Sequence, residues 1–450
     1  MAVKRTPEQE EVVKNRGGAL LVSAAAGSGK TRVLVERLMD YILQEGRNID
    51  EFLIITFTRA AAEELRARIA KEIAEALAAQ PDHAHLRQQT VRLYETQIST
   101  IHAFCTVLLR QWGHLLDIPG DFALCEDEEA QVLMTRTLNQ VLEARYEEID
   151  PTGPFARLLD VLSKGRDDSR LLEITLDIYG KIQSYPDPLA WLASQREALD
   201  LSAVTDVGQT PWGSLLLEEA GQTAAYWADQ MAWACDLAQK EAGLEKAYGD
   251  SLQATRRSLE AFVQAAGTSW DEAARVEIVF PKLKAARGVE DPALQEQIKS
   301  IRARCKKAVE ELTQTVSGPS APLLADMALV YPAMLGLLDL VEDFSRAYEA
   351  AKKQRSLLDF SDLEHLAVRL LVDEAGGPTP LARQWGARYT EIMVDEYQDT
   401  NQVQNTIFQA LSQEGRNLFM VGDVKQSIYR FRLADPTIFL EKYRTFPPYD

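Results

Sequence analysis

Residues 19–38 read "ALLVSAAAGSGKTRVLVERL", and this stretch decides the fold class. The apolar run 19–23 has the composition of a buried strand, and the segment that begins at Lys30 has the apolar periodicity of a helix. Between them lie Gly27 and Gly29, which let the backbone turn tightly and present N–H groups to a ligand. A strand, a glycine-rich turn and a helix in this order predict a phosphate-binding loop in an α/β sheet.

Three further apolar runs predict more strands of the same sheet. They are residues 52–56 (FLIIT), 391–394 (EIMV) and 418–421 (LFMV). A helical pattern separates the first two strands, and a second pattern over residues 59–80 follows the second strand. Strand, helix, strand and helix in succession indicate a βαβ unit, so we expect a parallel sheet with flanking helices.

Strand-like runs are absent from about residue 115 to residue 355. This stretch is rich in Leu, Ala, Glu, Gln and Arg with helical periodicity. Segments that contain proline or glycine interrupt it at 151–154, 184–188, 209–212 and 316–322. We therefore predict a large helical insertion with a core of its own.

Length and charge limit the function classes. The chain has 450 residues and a formal net charge of −19, which excludes a uniformly basic nucleic-acid coat but permits a local basic groove. Its four cysteines show no CxxC spacing, so no zinc or iron–sulfur site is indicated. The N-terminus has no apolar signal region, and the apolar window 327–338 contains Pro332 and is too short to span a bilayer. We expect a soluble cytoplasmic protein without a membrane partner.

The glycine-rich loop supplies the candidate nucleotide-binding residues. Lys30 is expected to reach the β- and γ-phosphates of ATP, and the Thr31 hydroxyl is expected to bind Mg²⁺. The usual pattern G-x-x-x-x-G-K-[ST] begins with glycine where this chain has Ala24, so an ordinary strand–helix turn is the alternative. The candidate cofactor-binding residues here are Ala24, Ala25, Ala26, Gly27, Ser28, Gly29, Lys30, Thr31 and Arg32.

Two acidic residues directly follow the predicted strand 391–394. Asp395 and Glu396 would be costly to bury without a facing cation. Ligands of open α/β sheets bind at the carboxyl ends of the strands, so both residues are expected beside the glycine-rich loop. We predict that Asp395 shares Mg²⁺ with Thr31, and that Glu396 orients and deprotonates the attacking water. The cation facing the carboxylates is then the metal together with Lys30.

The order of short motifs resembles that of UvrD/Rep-type superfamily 1 DNA helicases. The blocks, by their family names, are the Q motif at 6–9 (TPEQ), motif I at 23–31, motif Ia at 56–69, motif Ic at 99–105 (STIHAFC), motif Id at 358–363 (LDFSDL), motif II at 394–401 (VDEYQDTN) and motif III at 419–432 (FMVGDVKQSIYRFR). In motif Ia the chain departs from the family pattern, because Arg59 and Ala60 replace Asn-Lys.

Within that superfamily the motif sequences are most similar to those of the AddA branch of helicase–nuclease proteins. Motif III has Val424 and Lys425 before Gln426, and Phe431 replaces the tryptophan of stand-alone helicases. Residues 184–192 (SYPDPLAWL) also resemble this branch. A stand-alone UvrD-like helicase and a non-hydrolysing DNA-binding scaffold protein remain as alternatives.

The resemblance implies a fold and an activity. The fold is a RecA-like P-loop NTPase domain, called 1A, formed by residues 1–115 and 355–450 and interrupted by an all-α 1B insertion at 116–354. The activity is ATP-dependent translocation 3′→5′ on DNA, with ATP and Mg²⁺ as cofactors, in double-strand break repair and recombination. The resemblance also implies an AddB-like subunit as partner. Outside this sequence, in a longer protein, we expect a second RecA-like domain and a nuclease domain.

Residue roles also follow from the resemblance. Gln9 would read the adenine edge, and Gln426 would sense the γ-phosphate and complete the catalytic set with Glu396, Asp395 and Lys30. Single-stranded DNA is held by basic side chains and aromatic stacking. The candidate DNA-binding residues are Phe57, Thr58, Arg59, His102, Tyr429, Phe431 and Arg432. Core positions for the three aromatic residues and a structural role for His102 remain open alternatives.

Overall fold

The computed structural model describes residues 5–25, 27–162, 167–427 and 433–447. The chain divides into two compact units. The first is formed by Met1–Glu148, Lys164–Trp191 and Leu340–Asp450, and the second by Ile149–Ser163 and Leu192–Asp339. The domain boundaries at 115 and 355 stay a prediction.

The first unit contains a parallel five-stranded sheet. Its strands are β1 (Leu20–Ser23), β2 (Phe52–Thr56), β3 (Gln97–Thr100), β6 (Glu391–Val394) and β7 (Leu418–Gly422), in the spatial order β1-β7-β6-β2-β3. A separate parallel pair joins β4 (Ala123–Leu124) to β5 (Leu357–Leu358). The four predicted strands are confirmed. The sequence reasoning missed β3, because its residues QIST contain a single apolar residue at the sheet edge instead of an apolar run. It also missed β4, which lies inside the stretch 115–355 where we expected no strand, because a strand of two residues gives no sequence pattern.

The helices are, in chain order, α1 (Pro7–Lys14), α2 (Lys30–Gln44), α3 (Arg59–Ala79), α4 (Ala84–Arg92), α5 (Ile101–Trp112), α6 (Asp127–Glu147), α7 (Pro154–Leu162), α8 (Ser169–Ile182), α9 (Pro188–Leu199), α10 (Pro211–Gln239), α11 (Ala242–Ala266), α12 (Trp270–Arg275), α13 (Pro292–Thr315), α14 (Ser320–Lys353), α15 (Phe360–Leu371), α16 (Pro380–Gly386), α17 (Gln402–Leu411) and α18 (Pro436–Thr445). Short 3₁₀ turns lie at 49–51, 113–116, 207–209, 397–399 and 424–426.

Both faces of the sheet are covered by helices. Successive side chains of a strand point to opposite faces, so Leu53 and Ile55 of β2 pack into one core while Phe52 and Ile54 pack into the other. Helices α2 and α3 contribute to the second of these cores, and α5, α15, α16 and α17 contribute to the first. The apolar runs that predicted the strands are therefore explained by burial on both faces.

The second unit has a core of its own, formed by α10, α11, α12 and α13. Helix α10 begins after Thr210, whose side chain caps the Gly213 N–H, and has Pro211 in its first turn. Its buried positions include Ala224, Ala228 and Ala234, and such small side chains let a neighbouring helix approach closely. Within the described residues of this unit, the regular elements are helices.

Helix α14 is the one described helix long and apolar enough, by length and composition, to cross a membrane. The sequence predicted that the apolar window 327–338 is too short to span a bilayer. In the structure this window, with Pro332, lies inside a continuous helix of 34 residues. The buried positions of α14 include Leu338, Val341 and Phe344. A helix in the core of a soluble protein passes the same test, so this feature is weak support for a membrane span.

Candidate functional site

The glycine-rich turn has the backbone that its glycines predict. Gly27 has φ of 74° and Gly29 has φ of 87°, both in the left-handed region that residues with a side chain rarely adopt. Gly29 is the N-cap of α2, so Lys30 and Thr31 occupy the first helical turn. Ala26 lies outside the described residues. The turn therefore presents the positive end of the α2 dipole at the carboxyl end of β1.

Hydrogen bonds tie this turn to its surroundings. The Ala24 N–H donates to the Gly422 carbonyl at 3.0 Å, which joins the start of the turn to the end of β7. The Ser28 N–H donates to the Ala25 carbonyl at 3.2 Å. Gln9 donates from Nε2 to the Ser28 carbonyl at 3.1 Å, so α1 is anchored on the turn.

Lys30 carries a buried ammonium group without a hydrogen-bond partner among the described residues. Its side chain is 8% exposed, and Nζ lies 3.5 Å from Glu396 Oε2. A buried cation is stable when it is paired and hydrogen-bonded, and the facing carboxylate alone supplies a long contact. The ammonium is thus available for a further anionic partner at this edge of the sheet.

Asp395 lies at the end of β6, beside the first turn of α2. Its carboxylate is hydrogen-bonded to Thr31, and it accepts the N–H of Glu396 at 3.1 Å. Burial, with the neighbouring charge of Glu396, raises the pKa of Asp395 to about 6, against the opposing effects of Lys30 and Thr31. The raised pKa marks a carboxylate whose negative charge lacks full compensation, which a bound cation would supply.

Glu396 occupies a strained position directly after Asp395. Its backbone has φ of 52° and ψ of 45°, in the left-handed region, at a cost on the order of 1 kcal/mol or more. The side chain is 39% exposed, faces Lys30, and accepts a hydrogen bond from Gln398 Nε2 at 2.8 Å. Such strain persists when the surroundings over-determine it, and it recurs at functional sites.

The two acidic residues line a cavity of about 520 Å³. Its other lining residues include Thr31, Phe57 and Gln426, so groups that follow β1, β2, β6 and β7 meet at the carboxyl edge of the sheet. Lys30 borders a second cavity of about 620 Å³, which Gln9 and Ser28 also line. The cavities lie beside a cation, a hydroxyl and two carboxylates, a set that suits a phosphate group with a hard divalent metal.

Gln426 lies in the loop that follows β7. Its Nε2 donates to Asp423 Oδ2 at 2.5 Å, and Asp423 caps this turn by accepting the N–H of Lys425 at 3.0 Å. The hydrogen bond from Gln426 lowers the pKa of the Asp423 carboxyl. The structure thus brings Gln426 to the same cavity as Asp395 and Glu396.

Two predicted cofactor-binding residues make other contacts. The Gln9 amide accepts the Thr6 N–H at 3.1 Å through Oε1, as part of the box that caps α1. The cap thus engages the acceptor end of the amide. The adenine contact of Gln9 stays a prediction. Arg32 forms an ion pair with Glu36 one turn along α2, at 2.6 Å.

The predicted DNA-binding residues of motif Ia surround the end of β2. Phe57 is half-buried and lines the 520 Å³ cavity. Thr58 is exposed and caps α3 by accepting the Ala61 N–H at 3.1 Å, and Arg59 is exposed in the first turn of α3. Phe57 is therefore not a fully buried core residue.

His102 lies in the first turn of α5. Its Nε2 is 3.1 Å from Glu364 Oε1, and its ring contacts Phe360 edge-on at 5.2 Å between centroids. The His102 side chain is 40% exposed and lines a cavity of about 220 Å³ that Asp395 and Glu396 also border. The DNA-binding predictions for Tyr429, Phe431 and Arg432 lie outside the described residues.

Sequence reasoning missed a buried ion pair that joins α2 to β6. Arg37 donates from Nε and Nη2 to the two carboxylate oxygens of Glu391 at 2.8 and 2.6 Å, and also to the Val12 carbonyl. Arg37 and Glu391 are 1% and 4% exposed. A glutamate at the start of an otherwise apolar strand was the signal that could have found this pair, because a buried charge needs a partner.

Mg²⁺ and a nucleotide phosphate fit the residues that the structure brings together. The described residues contain no group of three or more His, Cys, Asp or Glu side chains arranged to hold a metal. Thr31 and Asp395 would supply two oxygen ligands. That number suits Mg²⁺, which takes one or two protein ligands and completes its shell with phosphate and water oxygens. The Lys30 ammonium, which has no hydrogen-bond partner among the described residues, suits the same phosphate.

An open parallel sheet with a glycine-rich turn and acidic residues at its carboxyl edge defines an α/β protein of the nucleotide-binding type. The chain matches the model of the UvrD/REP helicase N-terminal domain over residues 5–447, and it belongs to this family. Among its relatives is the A subunit of the ATP-dependent helicase/nuclease of Heliobacterium modesticaldum. The two sequences are 39% identical over 99% of this chain and 34% of that protein.

Relatives from other bacteria have the same name. The identity is 39% with the A subunit of the Geobacillus thermodenitrificans helicase/nuclease, over 98% of this chain and 36% of that protein. It is 36% with the corresponding protein of Syntrophomonas wolfei, over 99% of this chain and 35% of that protein. The chain thus spans about a third of the length of these curated relatives.

Proposed function

We propose that this chain is the ATP-binding motor part of a DNA helicase, with a RecA-like P-loop fold at 1–115 and 355–450 and a 1B insertion at 116–354 that is helical apart from the two-residue strand β4. The observation that supports this most is the meeting of Lys30, Thr31, Asp395 and Glu396 at one sheet edge, although the chain between them is long. The separate helical core of the second compact unit supports the insertion.

The chemistry proposed for these residues is hydrolysis of ATP. Lys30 pairs with the β- and γ-phosphates, and the amides of the glycine-rich turn donate to them. Mg²⁺, held by Thr31 and Asp395, would neutralise charge on the phosphates. Glu396 orients the attacking water and accepts a proton from it, and Gln426 senses the γ-phosphate. The Gln398 contact and the left-handed backbone keep the Glu396 carboxylate turned toward Lys30.

The proposed biological role follows the names of the relatives. We propose that the whole protein is the A subunit of a helicase–nuclease that translocates 3′→5′ on DNA with an AddB-like partner in the cytoplasm, during double-strand break repair and recombination. The second RecA-like domain and the nuclease would belong to the remaining length of such a protein. The stand-alone helicase remains a second candidate, because the family match covers the helicase part alone.

The test is ATPase activity of the full-length protein with and without single-stranded DNA. We expect Glu396→Gln to keep ATP binding and to lower the turnover number by about 10²–10⁴-fold, because the general base is lost. The matched control is Glu374→Gln, which makes the same change at an exposed position. Turnover near the wild-type rate in Glu396→Gln would remove Glu396 from this role. A wild-type protein without DNA-stimulated turnover would favour the scaffold alternative.

A strand-displacement assay separates the finer proposals. The two substrates are duplexes with a 3′ or a 5′ single-stranded tail. Translocation in the 3′→5′ direction predicts that the 3′-tailed duplex is unwound and the 5′-tailed duplex is not. Co-purification of an AddB-like protein supports the helicase–nuclease, whereas a monomer that unwinds DNA by itself supports the stand-alone helicase.

A further inference from the structure

Gln398 is a buried side chain between the two loops that carry the proposed catalytic groups. It lies in the 3₁₀ turn 397–399 and is 1% exposed. Its Nε2 donates to Glu396 Oε2 at 2.8 Å and to Asp399 Oδ2 at 3.3 Å. Its Oε1 accepts the backbone N–H of Asp423 at 2.9 Å. One side chain therefore touches the proposed general base and the loop after β7.

These partners determine the direction of the amide. The NH₂ end faces two carboxylates and the oxygen faces an N–H group, so a reversed amide would oppose like groups at both ends. Glutamate at position 398 would add a third carboxylate beside Glu396 and Asp399. A side chain of this length with one donor end and one acceptor end is glutamine.

The fold provides the room that Gln398 needs. A Cβ atom on Gly422 would lie 2.4 Å from Gln398 Oε1 and 2.9 Å from the ring of Phe439, closer than real Cβ contacts. Glycine ends β7 because of this close approach, since Gly422 is not among the residues with positive φ. The contact between Gln398 and the loop is thus built into the sheet edge.

The loop continues this connection toward the predicted DNA-contacting segment. Asp423 holds Gln426 through its carboxylate, and Ser427 donates from Oγ to the Gln398 carbonyl at 3.4 Å. After Ser427 the chain enters motif III residues 428–432, which lie outside the described residues. The Glu396 carboxylate and the loop 423–427 are therefore joined through the side chain and the backbone of Gln398.

We propose that Gln398 is a positioning residue that couples the Glu396 carboxylate to the loop 423–427, so that DNA bound beside this loop accelerates ATP hydrolysis. This inference rests on the proposed function. A shift of the Asp423 N–H moves the acceptor end of the amide, and its donor end moves the Glu396 carboxylate with it. Misplacement of a reacting group by about 1 Å can cost roughly 100-fold in rate.

The experiment measures steady-state ATPase kinetics of the full-length protein with and without oligo(dT). The variants are Gln398→Glu, which keeps an acceptor and loses the donor, and Gln398→Met, which loses both. The control is Gln409→Glu on α17, an exposed position with the same change of charge. We expect both Gln398 variants to lower kcat with DNA by about 10–100-fold, to lose most of the stimulation by DNA, and to keep the KM for ATP.

Two results would overturn the inference. One is wild-type stimulation by DNA in either folded variant. The other is a loss of activity that appears together with weaker ATP binding and a lower melting temperature, which indicates a structural role. If Gln398→Glu fails to fold, Gln398→Met alone decides between coupling and a structural role.

Wild-type protein and Glu396→Gln are measured in parallel. If the wild type lacks DNA-stimulated turnover, the proposed function fails and the inference fails with it. If the wild type is stimulated, Glu396→Gln is inactive and both Gln398 variants remain stimulated, the inference about Gln398 alone is wrong.

Discussion

The buried pair of Arg37 and Glu391 makes a strong prediction about stability. Replacing Glu391 by glutamine leaves the Arg37 guanidinium buried against a neutral amide, with its charge uncompensated. Both residues are at least 96% buried, and the two hydrogen bonds of 2.8 and 2.6 Å form a bidentate pair. Breaking a buried pair by removing one partner costs about 3–5 kcal/mol, because the remaining ion stays desolvated.

Urea-induced unfolding of the chain, followed by far-UV circular dichroism, measures this loss. With a slope of about 2 kcal/mol per molar urea, a loss of about 3 kcal/mol lowers the midpoint by roughly 1.5 M. The matched control is Glu75→Gln, since Glu75 forms an exposed ion pair with Lys71. Exposed pairs contribute about 0–1 kcal/mol, so this control should unfold close to the wild type.

The double variant Arg37→Met with Glu391→Leu tests the same pair by removing both charges. Apolar replacement of both partners removes the charges together, so most of the lost stability should return. Equal urea midpoints for Glu391→Gln and Glu75→Gln would refute the argument, because the buried ion pair would then contribute no more to stability than an exposed one. A double variant with a lower urea midpoint than Glu391→Gln would also contradict it.

Three further predictions concern charged and buried groups. Lys30→Met should abolish binding of a fluorescent ATP analogue while the melting temperature stays at or above that of the wild type, because the buried ammonium that is removed has no hydrogen bond to a described residue. A large loss of stability would count against this. Lys352→Met should destabilise the chain by about 3–5 kcal/mol at pH 7, because Lys352 is the buried partner of Asp359 and Asp362. Burial raises the pKa of Asp362 to about 6 although Lys352 lowers it, and Lys352 also lowers the pKa of Asp359. Without Lys352 both carboxyls bind protons more tightly in the folded chain, so protonation stabilises the variant more than the wild type as the pH falls. The deficit of Lys352→Met should therefore shrink between pH 7 and pH 5 in thermal melts, and a deficit that grows would refute this sign. The free thiols should react with a disulfide reagent only after denaturation, because they are buried and burial raises their pKa values; they belong to Cys105, Cys125, Cys235 and Cys305. Fast labelling of any of them in the native protein would contradict this.

Much of the fold could be predicted because the deciding signals are local. Buried parallel strands have apolar runs, and helices have apolar periodicity, so β2 and β6 were predicted with the bounds that the structure has. The glycine-rich turn was predictable because Gly27 and Gly29 have positive φ, which few other residues adopt. The edge strand β3 was missed because its half-polar sequence gives no such signal.

The sequence by itself determined which residues carry the candidate chemistry: a lysine and a threonine after a glycine-rich turn, and two carboxylates after a buried strand. Only the tertiary structure decided how they meet. The strand order places β7 between β1 and β6, and no local pattern specifies that order. Arg37 and Glu391 pair although 354 residues separate them. The hydrogen-bond partners of Gln398 could be assigned only from the structure, because one of them, Asp423, follows the distant strand β7. The physical reason is that periodicity reports what a residue buries, whereas the partner of a buried charge or amide depends on which distant segments pack against it.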